Sequence, residues 1–344
     1  MKLLVCTQVV DRQDSNLGFF HRWIEEFAAH CEQVTVICLR EGAHDLPSNV
    51  RVLSLGKEVG TSRIVRIVRF YRYIIRYRHD YDAVFVHMNP EYVVLGGFLW
   101  HRWKKKVGLW YAHQSRTRKL ARAVSLVDRV LTVAPESFPI QTPKLRAIGH
   151  GIDTRVFAPT TPTKDSSIRI ITTGRIAQRK HLVEMLSALD VLHARGVAFM
   201  FTIVGVATVP TEEQYAAVLV KEIMKRPYHD RVRLVGAVPH HRLSEVLGSQ
   251  DLFLNFSGTG NMDKAGLESL VCGVPVLATN SAFRQMLEPY GLYVSTMAGE
   301  QVAQAIEQFL HRSDRAVVVT KLRDRVLAEH SLSSLIPKIL SELI

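Results

Sequence analysis

No stretch of this 344-residue sequence approaches the roughly 20 consecutive apolar residues that span a bilayer. The opening Met1-Lys2-Leu3-Leu4-Val5-Cys6 breaks at Thr7-Gln8 and meets Asp11, so it has no signal-peptide core and reads as a buried first strand. Cysteine is scarce. Cys6, Cys31, Cys38 and Cys272 show no CxxC or metal-ligand spacing, which argues against structural zinc and fits a reduced, cytoplasmic compartment. Between Thr7 and Gly18 there is no Gly-x-Gly-x-x-Gly, which argues against a dinucleotide-dependent oxidoreductase. Low-complexity tracts and short repeats are also missing.

What is present is ordinary in amount and uneven in placement. Hydrophobic residues make up 47% and aromatics 8%, enough for each of two domains of about 150 residues to bury its own core. The net charge is +12, but residues 1–150 hold 23 Lys and Arg against 13 Asp and Glu, a net +10, and the remainder 21 against 19, a net +2. One half therefore meets something anionic: nucleic acid, an anionic membrane surface or a phosphate-bearing acceptor. No recognised nucleic-acid module accompanies the charge, so no nucleic-acid partner is expected.

Short β-branched runs alternate with helical patterns. Segments 3–7, 33–39, 83–87, 106–112 and 129–133 read as strands, and 17–30, 63–77, 92–103 and 117–124 as helices. The pattern stops over 150–167, where Pro159, Pro162, several Thr and Lys164-Asp165 make a linker. It restarts with strands at 168–173, 198–204, 232–235, 251–256 and 274–278, and the end, 316–344, reads as helical apart from a break near Ser331 and Pro337. Alternation of this kind makes parallel sheets covered on both faces. The expected α/β architecture is two doubly wound, Rossmann-like domains facing each other across a cleft, 1–155 and 165–330, with a helix at about 331–344 packing back on the first. Ligands of such sheets bind beyond the carboxyl ends of the strands.

The chemical signals lie in the second half. Ile170-Ile171-Thr172-Thr173-Gly174-Arg175 puts a glycine at a strand exit and a cation after it; Lys180 follows at the start of a helix over 181–192. A planar bidentate donor and a compact point charge at one turn suit a diphosphate, with a solvated basic turn as the alternative. Further on, a strand ends in Ser257-Gly258-Thr259-Gly260-Asn261-Met262-Asp263-Lys264-Ala265-Gly266-Leu267-Glu268, a Gly-rich loop opening a short helix that Gly273 and Pro275 stop. Free N–H groups at such a helix start suit an anion or sugar hydroxyls, and Glu268 suits two ribose hydroxyls. No Asp-x-Asp pair stands at a strand end beside these motifs, so no metal and no cofactor is expected, and Arg175 and Lys180 are left to neutralise a leaving diphosphate.

Taken together these motifs resemble the retaining glycosyltransferases of family 4, also called group 1, which have the GT-B fold. Gly174-Arg175 with Lys180 resembles the family's phosphate-binding pair, and Glu268-Ser269-Leu270-Val271-Cys272-Gly273-Val274-Pro275-Val276 its Glu-Ala-Met-Ala-x-Gly-x-Pro-Val signature. Gly149-His150-Gly151-Ile152-Asp153 with Phe157-Ala158-Pro159 is similar to its Asn-Gly-Val-Asp…Phe-x-Pro segment, His150 replacing Asn. The likeness implies a nucleotide-sugar donor contacted through Gly18, Gly174, Asn261, Asp263, Lys264, Gly266 and Glu268, with His113 beside the transferred sugar and Arg175 and Lys180 on the leaving diphosphate. It also implies retention of anomeric configuration in glycan or cell-envelope biosynthesis, the acceptor hydroxyl attacking from the leaving-group side. One departure stands out: the family pairs two glutamates, and the position of the first is Gly260, with Asp263 the nearest carboxylate. A GT-B sugar-nucleotide epimerase or an inactive sugar-nucleotide-binding protein is therefore the alternative.

For the acceptor, a saccharide or lipid-linked molecule, the signal is in the basic half. Arg63, Arg66, Arg69, Arg72 and Arg76 share one broad helical face, and Ile64, Ile67, Val68, Tyr71, Ile74 and Ile75 the other. His101-Arg102-Trp103-Lys104-Lys105-Lys106 adds a second basic cluster. Either this is a core-packing helix with a solvated basic face, or it is a patch for anionic lipid at the inner membrane face or a lipid-diphosphate acceptor.

Overall fold

The computed structural model describes residues 1–14, 17–159, 167–258 and 261–344. Met1–Asp153 together with Glu329–Ile344 form one compact unit, and Thr154–Ala328 a second. Part of the expected linker, 160–166, lies outside the described residues.

The first unit is built on seven strands: β1 (Lys2–Val10), β2 (Gln33–Glu41), β3 (Val50–Ser54), β4 (Ala83–His87), β5 (Lys106–Trp110), β6 (Arg129–Thr132) and β7 (Leu145–Ala147). They lie in the order β3-β2-β1-β4-β5-β6-β7, every pair parallel. The central strands are apolar without interruption because both of their faces are covered, as the buried run through residues 3–7 of β1 shows. β3 and β7 lack that signature. They are short and half-exposed, and the sequence pattern missed both.

Helices α1 (Phe19–His30), α2 (Arg63–Arg76), α3 (Pro90–Arg102) and α4 (Arg118–Leu126) connect these strands. Hydroxyl caps start two of them: Ser62 Oγ accepts from the Val65 N–H (3.3 Å) and Thr117 Oγ1 from the Leu120 N–H (3.1 Å). Phe70 and Ile74 of α2, Trp100 of α3 and Leu120 of α4 share one core with Leu4, Val84 and Val107 of the sheet.

The second unit has five parallel strands, β8 (Ile168–Thr173), β9 (Phe199–Val204), β10 (Val232–Gly236), β11 (Leu252–Asn255) and β12 (Val276–Ala278), in the order β10-β9-β8-β11-β12. Its helices are α5 (Leu182–Ala194), α6 (Pro210–Met224), α7 (Leu243–Gly248), α8 (Lys264–Val271), α9 (Arg284–Leu287) and α10 (Gly299–Leu310). α11 (Arg315–His330) then runs to Ser331, which caps α12 (Leu332–Ser341) through the Ser334 N–H at 3.3 Å.

Within the first unit α12 packs on α1, and a parallel bridge ties Ile152 to Ser331. Pro337 does not break the final helix as its residue type implies. It sits inside α12, where buried Leu335, Ile336, Ile339 and Leu340 hold the helix against its neighbours and outweigh the lost backbone bond.

Candidate functional site

Because the five strands of the second unit are parallel, their carboxyl ends share one edge, and every loop carrying a motif leaves from that edge. β8 runs into Gly174, β9 into Gly205, β11 into Phe256 and Ser257, and β12 into Asn280. Gly174 and Gly205 have φ of +131° and +141°, and a Cβ on Gly205 would stand 1.8 Å from the Gly174 carbonyl oxygen. Only glycine allows the two strand exits to touch. The Lys180 side chain lies over Gly174, its Cε and Nζ 3.1 Å from where a Cβ would be.

Both candidate phosphate ligands have carboxylate partners. Arg175 Nη1 is 3.3 Å from Glu212 Oε1, with the Arg175 side chain 44% exposed. Glu212 is itself fixed at the start of α6, accepting from the Thr208 hydroxyl (2.7 Å) and N–H (2.9 Å). Those bonds, Thr208's hydroxyl foremost, and the nearby Arg175 hold its carboxyl below the usual range. Lys180 is 17% exposed and its ammonium bonds the carboxylate of Asp263. Lys180 closes a short 3-10 turn, Gln178–Lys180, and does not open the helix; the helix expected from 181 begins at Leu182, with His181 before it at φ +51°.

A second cluster surrounds Glu268. Its buried Oε1 accepts from His240 Nε2 at 2.8 Å and lies 3.8 Å from Lys264 Nζ, one helical turn earlier. His240 in turn packs edge-on against Phe157, ring centroids 5.1 Å apart. Gly266 is glycine because a Cβ there would meet the Phe283 ring at 2.8 Å. The Asn261 carbonyl accepts from Asn280 Nδ2 at 2.8 Å, while the buried Asn261 Oδ1 has no partner among the described residues. Gly260, the position of the absent glutamate, lies outside the described residues. Glu212, His240 and Asn280 were not foreseen. Each follows the end of a strand, which is the one signal that marks them in the sequence.

In the first unit, Gly18 precedes α1 with an ordinary φ of −55°. Its N–H donates to the Asp14 carbonyl (2.9 Å), and a Cβ would stand 2.6 Å from that oxygen, so a tight turn explains this glycine. His113 is exposed beyond the end of β5; its Nδ1 accepts from the Ser115 N–H at 2.9 Å, leaving Nε2–H as the ring's donor.

The two-faced reading of α2 needs correction. Arg63, Arg72 and Arg76 are exposed, but Arg66 and Arg69 are half-buried, and Arg69 Nη1 donates to the Leu55 carbonyl at 3.2 Å. Nor does the whole apolar face pack inward. Phe70 and Ile74 are its buried residues, whereas Ile64 (75% exposed), Val68 and Ile75 stand in solvent. The sheet offers room for one narrow stripe of the helix, and Tyr71, whose hydroxyl donates to the Leu95 carbonyl of α3 (3.0 Å), marks one limit of that contact. Phe98 of α3 is likewise 72% exposed.

Among the described residues no helix is long and apolar enough to cross a membrane, and no group of three or more His, Cys, Asp or Glu is arranged to hold a metal ion. All four cysteines are buried and unoxidised, and burial raises each thiol, that of Cys272 up to about 12.

Residues 155–325, the segment that carries Gly174, Arg175, Lys180 and Glu268, match the family described as glycosyl transferases group 1. Over this segment the chain belongs to the group 1 glycosyltransferases. The putative colanic acid biosynthesis glycosyltransferase WcaL of Escherichia coli is 28% identical over 203 residues, 55% of this chain and 48% of that protein. One component of the human phosphatidylinositol N-acetylglucosaminyltransferase is 29% identical over 133 residues, 38% and 26% of the two chains. This chain thus spans less than half the length of these two curated relatives. Among solved structures, Anabaena Alr3699/HepE in complex with UDP and glucose superposes with a TM-score of 0.75 at 16% identity, covering 100% of this chain and 99% of that one. At that identity the likeness is one of fold. The two parallel sheets of this group 1 protein are those of the GT-B architecture.

Proposed function

We propose that the chain is a glycosyltransferase of glycan or polysaccharide biosynthesis, which moves a sugar from a nucleotide-diphosphate donor to a saccharide or lipid-linked acceptor with retention of configuration and without a metal. The observation that carries this reading is the pair of cations, Arg175 and Lys180, on loops beyond the end of β8, beside the touching glycines Gly174 and Gly205. Strand-end glycines let a backbone approach phosphate closely, and the two cations supply the charge a departing diphosphate needs. The same architecture in Alr3699/HepE was solved with UDP and glucose, and two curated relatives are named as glycosyltransferases, which supports the class of donor and reaction.

In this reading Glu268, held at Oε1 by His240 and Lys264, offers its other oxygen to the ribose hydroxyls. The segment from Asn261 through the first turn of α8 at Gly266 lies against the sugar and phosphates. As the bond from the anomeric carbon to the diphosphate oxygen breaks, its electron pair goes to the diphosphate beside Arg175 and Lys180. The acceptor oxygen then bonds the anomeric carbon from that same side as its O–H bond breaks and the proton passes to the departing diphosphate oxygen, which retains the configuration.

The test is a thermal-shift and calorimetric panel of nucleotide sugars, followed by NMR of the product's anomeric proton with and without EDTA. A stabilising donor, a product of the donor's own anomeric configuration and indifference to EDTA are expected. Free epimerised donor, an inverted product or a requirement for added metal would overturn the reading.

A second observation favours an anionic bilayer as the place of action. The exposed Ile64, Val68, Ile75 and Phe98 lie next to the exposed Arg63, Arg72, Arg76 and Arg102 in a half of the chain carrying a net +10. Apolar anchors ringed by cations suit the interface of an anionic leaflet, and a relative named for phosphatidylinositol fits a lipid-linked acceptor. Co-sedimentation with anionic liposomes that vanishes as salt rises is expected; equal failure to bind anionic and neutral liposomes would remove the bilayer.

A further inference from the structure

The two carboxylates facing the candidate phosphate ligands are held very differently. Glu212 has two bonds from Thr208 besides its contact with Arg175, so it stays where it is whatever Arg175 does. Asp263 stands at the N-cap of α8 with extended backbone, φ −75° and ψ 124°, the setting in which an aspartate normally accepts from the first turn of its own helix. Its side chain makes no such cap bond; the carboxylate is turned onto Lys180 instead. It thus has a second favourable place waiting one bond rotation away, at the positive end of α8.

We propose that Asp263 is an exchangeable internal anion that decides which phosphates this site accepts. Its carboxylate covers Lys180 until a ligand displaces it, whereupon it swings back to cap α8. The inference rests on the donor-site reading of Arg175 and Lys180 and goes beyond it. A single phosphate offers Lys180 little more charge than the carboxylate it must replace. A diphosphate offers more, and reaches the exposed Arg175 as well. The pair therefore admits diphosphates and turns monophosphates away. The other charged groups nearby, Lys264, Glu268 and His240, are bound to one another and need not move.

The test uses the full chain and two probes that need no knowledge of the base or sugar: inorganic pyrophosphate and inorganic phosphate, titrated calorimetrically into wild type and Asp263→Asn. Asparagine keeps the shape and the capping ability of aspartate, and a thermal melt checks the fold. We expect pyrophosphate to bind the variant at least fivefold more tightly than wild type. Phosphate should gain more, so that the preference for pyrophosphate narrows, and in a Lys180→Ala background the substitution should change neither. Unchanged or weaker pyrophosphate binding in Asp263→Asn, or no pyrophosphate binding to either protein, overturns the exchange. A tightening that survives Lys180→Ala also overturns it, because the effect would then be one of general charge. Pyrophosphate behaving as expected while no nucleotide sugar binds leaves the exchange standing and removes the donor reading. Nucleotide sugars binding without any gain in Asp263→Asn does the reverse.

Discussion

At the strand ends of the second unit, Arg175 and Lys180 each lie beside a carboxylate, and Glu268 lies between His240 and Lys264. On α2 of the first unit, Arg63, Arg72 and Arg76 stand exposed on a helix without a single acidic residue, and among the described residues none of them joins an ion pair. A cation beside a fixed or exchangeable anion is selective, because an incoming ligand must outbid the partner and match its geometry. A row of uncovered arginines is indiscriminate: it attracts any dense negative surface and weakens as salt screens it. In the function proposed above, the second unit recognises a particular small anion and the first is drawn to an extended one.

That contrast can be broken at several points, the most damaging of which is not a charge. Gly205→Ala should destabilise the protein by about 3 kcal/mol in urea unfolding, because a side chain at φ +141° would be driven into the Gly174 carbonyl. A loss below about 1 kcal/mol would mean that the two strand exits do not need to touch. Next in size, Lys180→Ala should weaken nucleoside-diphosphate binding about 10- to 100-fold by calorimetry, the range of a charged hydrogen bond worth about 1.5–3 kcal/mol. Arg175→Ala should cost less, since that side chain is more exposed and its partner is anchored by Thr208. Equal losses would erase the distinction between the two pairs.

The arginines of α2 should each matter less and matter additively. Changing Arg63, Arg72 or Arg76 to Gln is expected to weaken binding to anionic liposomes about fivefold apiece at low salt, from about 1 kcal/mol per cation near an anionic surface, while leaving nucleotide affinity unchanged. A loss of nucleotide binding in these variants would join the two regions into one site. Smallest of all is the response to chelation. Transfer activity should survive excess EDTA, and loss restored by Mn²⁺ or Mg²⁺ would show that Arg175 and Lys180 are not sufficient for the leaving diphosphate.

Much of this was legible in the sequence. The central strands announced themselves through unbroken β-branched and apolar runs, as in residues 3–7 and 170–173. The half-exposed edge strands β3 and β7 did not, since their burial alternates weakly and over few residues. Gly174, Arg175, Lys180 and the Gly-rich segment 257–268 stood out because glycine at a strand exit and cations after it are local features. Periodicity also separated arginine from isoleucine along α2, yet it could not tell how wide a stripe the sheet would cover. That width depends on where α3 lies, and it left Ile64, Val68 and Ile75 in solvent.

By itself, then, the sequence determined the alternation of strand and helix, the glycines at the strand exits and the presence of two cations and a carboxylate near them. These follow from short-range sterics and from side-chain chemistry carried by neighbouring residues. The tertiary structure decided which charge meets which. Lys180 and Asp263 are 83 positions apart, and they pair because β8 and β11 are adjacent parallel strands whose loops leave from the same edge. Glu212 reaches Arg175 for the same reason, through β9. An ion pair falls off within a few ångströms, so its existence depends on strand order and register, which no local pattern of residues records.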